Sequence, residues 1–333
     1  MTSQSVIAVY ELPRPIWVTY DILGKRFDTH IGPVRVTVVT PELDPPTGRI
    51  GPPAFAGLPD GALGPILGER PPRLDAYPSF AEVIDPEWCT EYAANHPGRA
   101  TALRTVGLEL VANCDPQLDR LSAHTYLPDK LLDIVGRYVE DWYTRLAEWV
   151  SVLTGQDLNH HHQIYPARLL GPGLRAWGGN NWRSTSSTYD IPSVRPIEPD
   201  QWRTVLHRIG EGRRPPLEWQ LILAGASALD RGHNRRAVID FATAIEVCLT
   251  RLVQDSTSSA NRPGDKSTLP NWSEWLDAHE PAYKADEGFA DLVDLRNETV
   301  HRGINPSYEQ ARAAYECASR VVSTHGRDRE ECV

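Results

Sequence analysis

The pattern of hydrophobic and polar positions changes along this chain from the alternation of β-strands to the longer period of helices. Polar and apolar residues alternate over positions 34–39, which predicts a half-buried strand. Positions 6–10 and 16–20 are rich in β-branched and aromatic residues, and Pro13 and Pro15 between them indicate a strand edge or a turn. The pattern also predicts a hairpin turn at positions 23–27. Positions 102–111 fit either a strand or a short helix, and the pattern favours the strand.

Apolar residues recur at helical spacing in much of the remaining chain. The clearest case is a predicted amphipathic helix over positions 128–153, with Pro128 at its start and Gly155 placed to end it. Most of the chain beyond position 200 is predicted helical, and the last helix begins at Ser307, whose capping-box partner is Gln310. The predicted helices there span positions 202–209, 216–230, 233–254, 272–279, 289–302 and 307–324. Candidate core positions in the helix 216–230 are Leu217, Leu221, Ile222 and Ala224.

Two irregular stretches interrupt these elements. Proline and glycine dominate positions 41–78, and positions 156–200 end in a proline-rich linker. The order of elements therefore predicts an α+β protein of two domains. A β-rich domain over residues 1–200 contains the helix 128–153, and a helical domain follows over residues 201–333.

Composition narrows the class of protein. Hydrophobic residues make up 41% and charged residues 23% of the chain, as in ordinary globular proteins. The sequence contains no run of about 18 apolar residues and no basic and apolar leader, so we expect a cytoplasmic protein with no membrane partner. The five cysteines are scattered and form no C-x-x-C pair, which argues against a zinc site and against a disulfide framework.

The balance of charge limits how this chain could bind nucleic acid. Its formal net charge is -10, whereas proteins that rely on general attraction to phosphate are usually basic. If the chain acts on nucleic acid, it needs a local basic site, a dimer interface or a partner that gathers positive charge.

The most informative motif lies at the end of the predicted helix 289–302. Arg296 is followed directly by the polar Asn297, and four residues separate Arg296 from His301. Because Asn297 and His301 are four apart they share a helix face, and Arg296 lies on the adjoining face. This motif resembles that of the HEPN superfamily, in which Arg, a polar residue, three to five further residues and His follow one another. The resemblance covers about residues 217–325 and implies a four-helix bundle.

The resemblance also implies a chemistry, because many HEPN proteins are metal-independent endoribonucleases. His301 would take the proton of the ribose 2′-hydroxyl or protonate the leaving 5′-oxygen. Arg296 would clamp the scissile phosphate, while Asn297 would orient the histidine or bond the phosphate. Glu246 matches an acidic position in the second helix of these domains and would pair with Arg296 or the histidine. The products would be a 2′,3′-cyclic phosphate and a 5′-hydroxyl, with no cofactor and no metal required.

The same resemblance implies partners. The motifs of two HEPN protomers commonly face each other across a two-fold axis, so we expect a homodimer whose composite cleft takes RNA and whose doubled motif doubles the local positive charge. The order of a β-rich region before the helical domain is similar to abortive-infection ribonucleases of the ApeA type. A toxin or anti-phage effector is therefore expected, with an antitoxin or a phage-derived trigger as a further partner and the N-terminal domain as its sensor.

Other interpretations of the same residues stay open. Some HEPN domains are not catalytic, so the helical domain could instead bind a partner protein or a nucleotide. Arg296 could be a salt-bridge partner of Glu246 or Asp294, and His301 a cation that the helix dipole favours. Other candidate features are a metal site at His160, His161 and His162, base stacking by Trp177 and Trp182, and local positive charge from Arg213, Arg214, Arg235 and Arg236. Arg302 is expected to pair with Glu298 four residues before it, or to contact phosphate.

Overall fold

The structure is a computed structural model. It describes residues 5–44, 49–53, 100–111, 129–156, 158, 175–178, 181–184, 196–258, 260–264 and 267–327. The described residues divide into two compact units, the first ending at Arg213 and the second beginning at Arg214. The first unit contains an antiparallel sheet, and seven α-helices follow it in the described chain, so the protein is of the α+β class as predicted. No described helix has the length and apolar character needed to cross a membrane.

A four-stranded antiparallel sheet forms the centre of the first unit. Its strand order is β1-β6-β3-β2, so strands that follow one another in the chain are not always neighbours. Two short ribbons, β4–β5 and β7–β8, accompany the sheet. The strands span Ser5–Thr19 (β1), Arg26–Ile31 (β2), Val34–Val39 (β3), Pro41–Asp44 (β4), Arg49–Pro53 (β5), Ala100–Val111 (β6), Arg175–Gly178 (β7) and Asn181–Ser184 (β8).

The prolines of β1 interrupt its pairing and do not end the strand. β1 continues through Pro13 and Pro15, and its register with β6 shifts between Glu11 and Ile16. An edge strand tolerates proline because one side of its backbone has no ladder partner. The hairpin predicted at positions 23–27 is wrong: β1 and β2 lie at opposite edges of the sheet, and the hairpin joins β2 to β3.

Two of the described α-helices belong to the first unit. The first, α1 (Asp129–Thr154), matches the predicted helix and buries its apolar stripe, including Trp142, Leu146 and Trp149. The second, α2 (Pro199–Gly210), packs on β2, where the Thr29 hydroxyl donates a hydrogen bond to the Leu206 carbonyl. The predicted helix 202–209 is therefore present, and it lies with the sheet and not in the helical unit.

The second unit is a helical bundle whose polar contacts fix the helix directions. The Asn234 amide donates to the Pro306 carbonyl at 3.0 Å, and Arg251 donates to the His325 carbonyl at 2.8 Å. These two bonds join the corresponding ends of α4 and α7, so those helices run parallel. The helices of this unit span Leu217–Asp230 (α3), Asn234–Asp255 (α4), Leu269–His279 (α5), Phe289–Asn297 (α6) and Tyr308–His325 (α7).

The other two long helices run against that direction. Trp219 near the start of α3 donates to the Arg327 carbonyl at 2.8 Å, just beyond the end of α7. Asp286, just before α6, accepts two hydrogen bonds from Arg320 near the end of α7. Helices α3 and α6 are therefore antiparallel to α4 and α7, as short connections between neighbouring helices favour.

The buried face of α3 differs from the predicted one. Leu217 is 53% exposed, so its assignment to the core is wrong, whereas Ile222 is buried as predicted. Leu221 and Ala224 are half-buried. The apolar residues of this helix are spread over more than one of its faces, so their spacing does not identify the buried face. The structure buries Trp219 and Glu218 there, and the Glu218 carboxylate lies 3.8 Å from the Arg251 guanidinium.

The contact between α3 and α4 leads to a stability prediction. A Cβ at Gly225 would overlap the ring of Phe241, which is fully buried. We expect Gly225→Ala to lower the free energy of unfolding by about 1–3 kcal/mol, because the packed core cannot absorb the methyl group. Gly264→Ala is the matched control, since a Cβ there would meet no atom within 4 Å. Equal urea midpoints for the two variants would contradict this account of the contact.

Candidate functional site

The helix that carries the motif is anchored at its start. The Asp286 carboxylate accepts hydrogen bonds from Arg320 at 2.8 Å and from the Gly288 N–H at 3.0 Å. The Arg320 guanidinium lowers the pKa of Asp286 to about 2. From this anchor α6 buries Phe289, Leu292 and Val293. The anchor therefore fixes where the motif begins relative to α7.

The motif lies where α6 changes its helical geometry. The chain is α-helical through Asn297 and then forms a π turn over Glu298–Arg302, so the predicted helix 289–302 is helical throughout but not uniform. The Gly303 N–H donates to the Glu298 carbonyl, and Gly303 has a left-handed backbone with φ of 69°. Within the turn Thr299 is buried. π-helical segments inside helices are often found at functional sites, and π turns also occur at the ends of helices.

An open depression of about 450 Å³ lies against this turn. The first of the side chains that line it is Asp294, and the others follow Asp294 at the helical spacing of three, four, seven and eight residues. His301 is exposed, and among the described residues its ring has no hydrogen-bond partner. The imidazole is therefore open to a ligand. The lining residues are Asp294, Asn297, Glu298, His301 and Arg302.

Arg296 is connected to this site by a hydrogen bond to Asn297. Its side chain is half-buried and does not line the depression, but its guanidinium donates to Asn297 Oδ1 at 3.1 Å. The structure thus joins Arg296 to Asn297 and places Asn297 with His301. Arg302 donates to the Glu298 carboxylate at 3.3 Å, as their spacing predicts. Both partners are well exposed, so this ion pair contributes little to stability.

Glu246 is not brought to the depression. It is a half-buried residue of α4, and the described residues contain no hydrogen bond or ion pair that joins it to Arg296 or His301. The carboxylates that are present come from α6 and its π turn, at Asp294 and Glu298. Asp240, another acidic residue of α4, is buried and pairs with Arg236 at 2.7 Å.

The motif region has no surplus of positive charge. Two carboxylates, Asp294 and Glu298, accompany the guanidinium groups of Arg296 and Arg302, and His301 adds charge only when it is protonated. A two-fold axis that doubled this set would double both signs equally. The local charge is therefore balanced, and an anionic ligand would need geometry as well as attraction.

Sequence reasoning passed over the two acidic lining residues as site components. Asp294 and Glu298 were considered only as salt-bridge partners. Asn297, Glu298, His301 and Arg302 follow Asp294 by three, four, seven and eight residues. This spacing places all five on one side of a helix, and that signal could have identified the two acidic residues.

Several other predicted features lie elsewhere. His160, His161 and His162 are outside the described residues, and no group of three or more metal-binding side chains occurs within the described ranges. Positions 177 and 182, predicted to be irregular, pair directly across the β7–β8 ribbon. Arg213 bonds Glu211 at 3.0 Å, as a solvated residue would.

Comparison of the chain with protein-family models, with curated proteins and with solved structures gave no match.

The anchor of α6 leads to a prediction about pH. The pKa of Asp286 falls from 3.8 to about 2 because of Arg320, so the ion pair stabilises the folded protein above about pH 4. That contribution is lost as the pH falls from about 4 to about 2, where the folded protein takes up the proton. We expect Asp286→Asn to lower the free energy of unfolding by about 1 kcal/mol at pH 7, a modest amount because solvent screens the exposed Arg320. Near pH 2 the same substitution should lower it much less. Urea unfolding at both pH values measures this difference, and a constant cost would contradict it.

Proposed function

We propose that this protein is a metal-independent endoribonuclease of the HEPN type. The observation that carries the proposal is the pairing of Asn297 and the open His301 imidazole in one depression, with Arg296 bonded to Asn297. The helix directions of the second unit support it, since they are those of an antiparallel four-helix bundle with one additional short helix. The order of residues in the motif supplies the link to the family.

The proposed reaction needs only these side chains and RNA. His301 accepts the proton of a ribose 2′-hydroxyl, whose oxygen attacks the adjacent phosphorus. The bond from phosphorus to the 5′-oxygen then breaks, and a second imidazole donates the proton that this oxygen takes. The products are a 2′,3′-cyclic phosphate and a 5′-hydroxyl. Because an imidazole titrates near neutral pH, the same residue type serves both steps.

Arg296 and Asn297 act on the phosphate in this scheme. The guanidinium of Arg296 stabilises the negative charge that develops on the non-bridging oxygens. The bond from Arg296 to Asn297 Oδ1 holds the guanidinium at the edge of the depression before substrate arrives. The Asn297 amide nitrogen stays available to orient the histidine or to bond a phosphate oxygen.

A second copy of the chain would supply the second imidazole. Four large hydrophobic side chains are well exposed in the described structure. Three of them lie within seven residues of His301 in the sequence, and they are Val300, Ile304 and Tyr308. An exposed apolar group of this kind often marks a protein interface. An isologous contact through these residues would bring the two motifs together. We propose this homodimer as the active form.

In its cellular role the protein is proposed as a toxin or anti-phage effector that degrades RNA when triggered. The β-rich unit would then sense a phage-derived trigger or bind an antitoxin. A second candidate function is a non-catalytic HEPN module that binds a partner protein. The exposed Val300, Ile304 and Tyr308 favour this alternative as much as they favour the dimer.

Cleavage of RNA by the purified protein in EDTA tests the proposal. We expect wild-type protein to release 2′,3′-cyclic phosphate ends, and Arg296→Ala and His301→Ala to lose about 10²-fold or more in rate. The reason is that each variant removes a group that acts on the transition state while leaving the buried core intact. Product ends are identified by mass spectrometry.

Two variants in the same unit serve as controls. Arg262→Ala and Lys284→Ala remove exposed cations that do not line the depression, so both should cleave at the wild-type rate. The ribonuclease would be refuted if purified wild-type protein cleaves no RNA and if cells whose growth it arrests contain no cleaved RNA. Equal activity of His301→Ala and wild type would refute its site.

The dimer leads to a separate prediction. Ile304→Glu combined with Tyr308→Glu should convert the dimer to a monomer and abolish cleavage, because charge in the contact is not solvated. Leu217→Glu is the matched control, since Leu217 is the fourth large hydrophobic residue that is well exposed among those the structure describes. Sedimentation velocity measures the mass of each variant. A wild-type monomer that cleaves RNA would contradict the composite site.

A further inference from the structure

The burial pattern at the end of α6 departs from the helical period at Val300. Phe289, Leu292 and Val293 are buried, and an α-helix would place Val300, seven residues after Val293, on the same face. The structure instead leaves Val300 38% exposed, whereas Thr299, seven residues after Leu292, is completely buried. The departure coincides with the π turn Glu298–Arg302.

Two features of the turn are unfavourable when they are taken alone. The hydroxyl of Thr299 is buried and has no hydrogen-bond partner among the described residues, which is unfavourable. Exposure of Val300 also forgoes apolar burial. Places where the structure departs from a clear sequence pattern at such a cost are usually functional or strained.

The turn changes the angle between the two outer residues of the motif. In an α-helix, residues five apart such as Arg296 and His301 lie about 140° apart around the axis. A π turn bonds each residue to the fifth one along, so each residue turns through a smaller angle and His301 comes back towards Arg296. The depression then has His301 and Asn297 in its lining, with Arg296 bonded to Asn297.

Gly303 closes the turn. Its N–H donates to the Glu298 carbonyl, and its φ of 69° lies where residues with a Cβ are disfavoured. A Cβ at this position would meet no atom within 4 Å, so a larger residue would change the backbone preference without a clash. Asparagine is the residue other than glycine that most readily adopts this conformation.

We propose that Gly303, through the π turn that it closes, is a positioning residue that holds the His301 imidazole towards the Arg296 side of the helix. Gly303 touches no reacting atom in this scheme and acts only through the backbone of the turn. The catalytic consequence rests on the proposed ribonuclease activity. The position of the imidazole can be measured without that activity.

A matched control exists in the same unit. Gly232 has a φ of 71°, also meets no atom within 4 Å when a Cβ is added, and follows the end of α3. Gly232→Ala and Gly303→Ala therefore impose the same backbone penalty at two different helix ends. Their melting temperatures should fall by similar amounts, so a difference between them reports position and not stability.

The experiment compares wild type, Gly303→Ala, Gly303→Asn and Gly232→Ala. The first measurement is the carbon-bound ring proton of His301 in a ¹³C-edited NMR spectrum, identified by its loss in His301→Ala. We expect this resonance to move in Gly303→Ala, to stay in Gly232→Ala and to return close to its wild-type position in Gly303→Asn. An unmoved resonance in Gly303→Ala, or the same shift in both alanine variants, would overturn the proposal.

Cleavage kinetics form the second arm. We expect kcat of Gly303→Ala to fall about tenfold to a hundredfold with little change in KM, because a displaced imidazole is misaligned for proton transfer. Gly303→Asn should restore kcat, and Gly232→Ala should keep it. Equal losses in the two alanine variants would overturn the positioning role. A wild-type protein that cleaves no RNA would refute the ribonuclease alone, and the NMR arm would still decide the position of His301.

Discussion

The helical unit depends on the burial of one helix, α4. Val238, Phe241, Ala242, Ile245 and Leu249 along it are almost completely excluded from solvent. The helices α3, α5, α6 and α7 and the π turn all pack against it, so each takes its place from this common core. Gly225 shows how close the contacts are, since α3 approaches Phe241 nearer than any side chain would permit. The position of the motif therefore follows from packing on α4 as well as from its own residues.

Periodicity predicted most of the elements, because burial on one face is a local property of the sequence. It identified β3, β6, α1 and the five helices of the second unit, together with the cap at Ser307. It failed where partners far apart in the chain decide the outcome. The pairing of β1 with β6 is one such case. The buried face of α3 is another, because the apolar residues of that helix are spread over several faces. Assignment of α2 to the sheet likewise depends on a bond between Thr29 and Leu206.

Some features of the candidate site were likewise predictable from local sequence, and others were not. The spacing of Asn297 and His301 predicted their common face, and the structure places both in one depression. The π turn was not predictable from apolar spacing, since that spacing favours an unbroken helix with Val300 inside. Glu246 was chosen by analogy to an acidic position on the second helix, and its relation to the motif depends on the rotation of α4 about its axis. A local sequence pattern contains no information about that rotation relative to a neighbouring helix.

Charge constrains how such a site could handle RNA. The chain is acidic overall, with a formal net charge of -10, and the motif region itself is balanced between carboxylates and guanidinium groups. Under the proposed function, few counterions would be released on binding, so affinity for bulk RNA would be low and would depend only weakly on salt. Affinity would then come from hydrogen bonds and shape at a composite cleft, which would form only when two copies meet. A toxin built in this way would spare RNA as a monomer, and control of assembly would become control of activity.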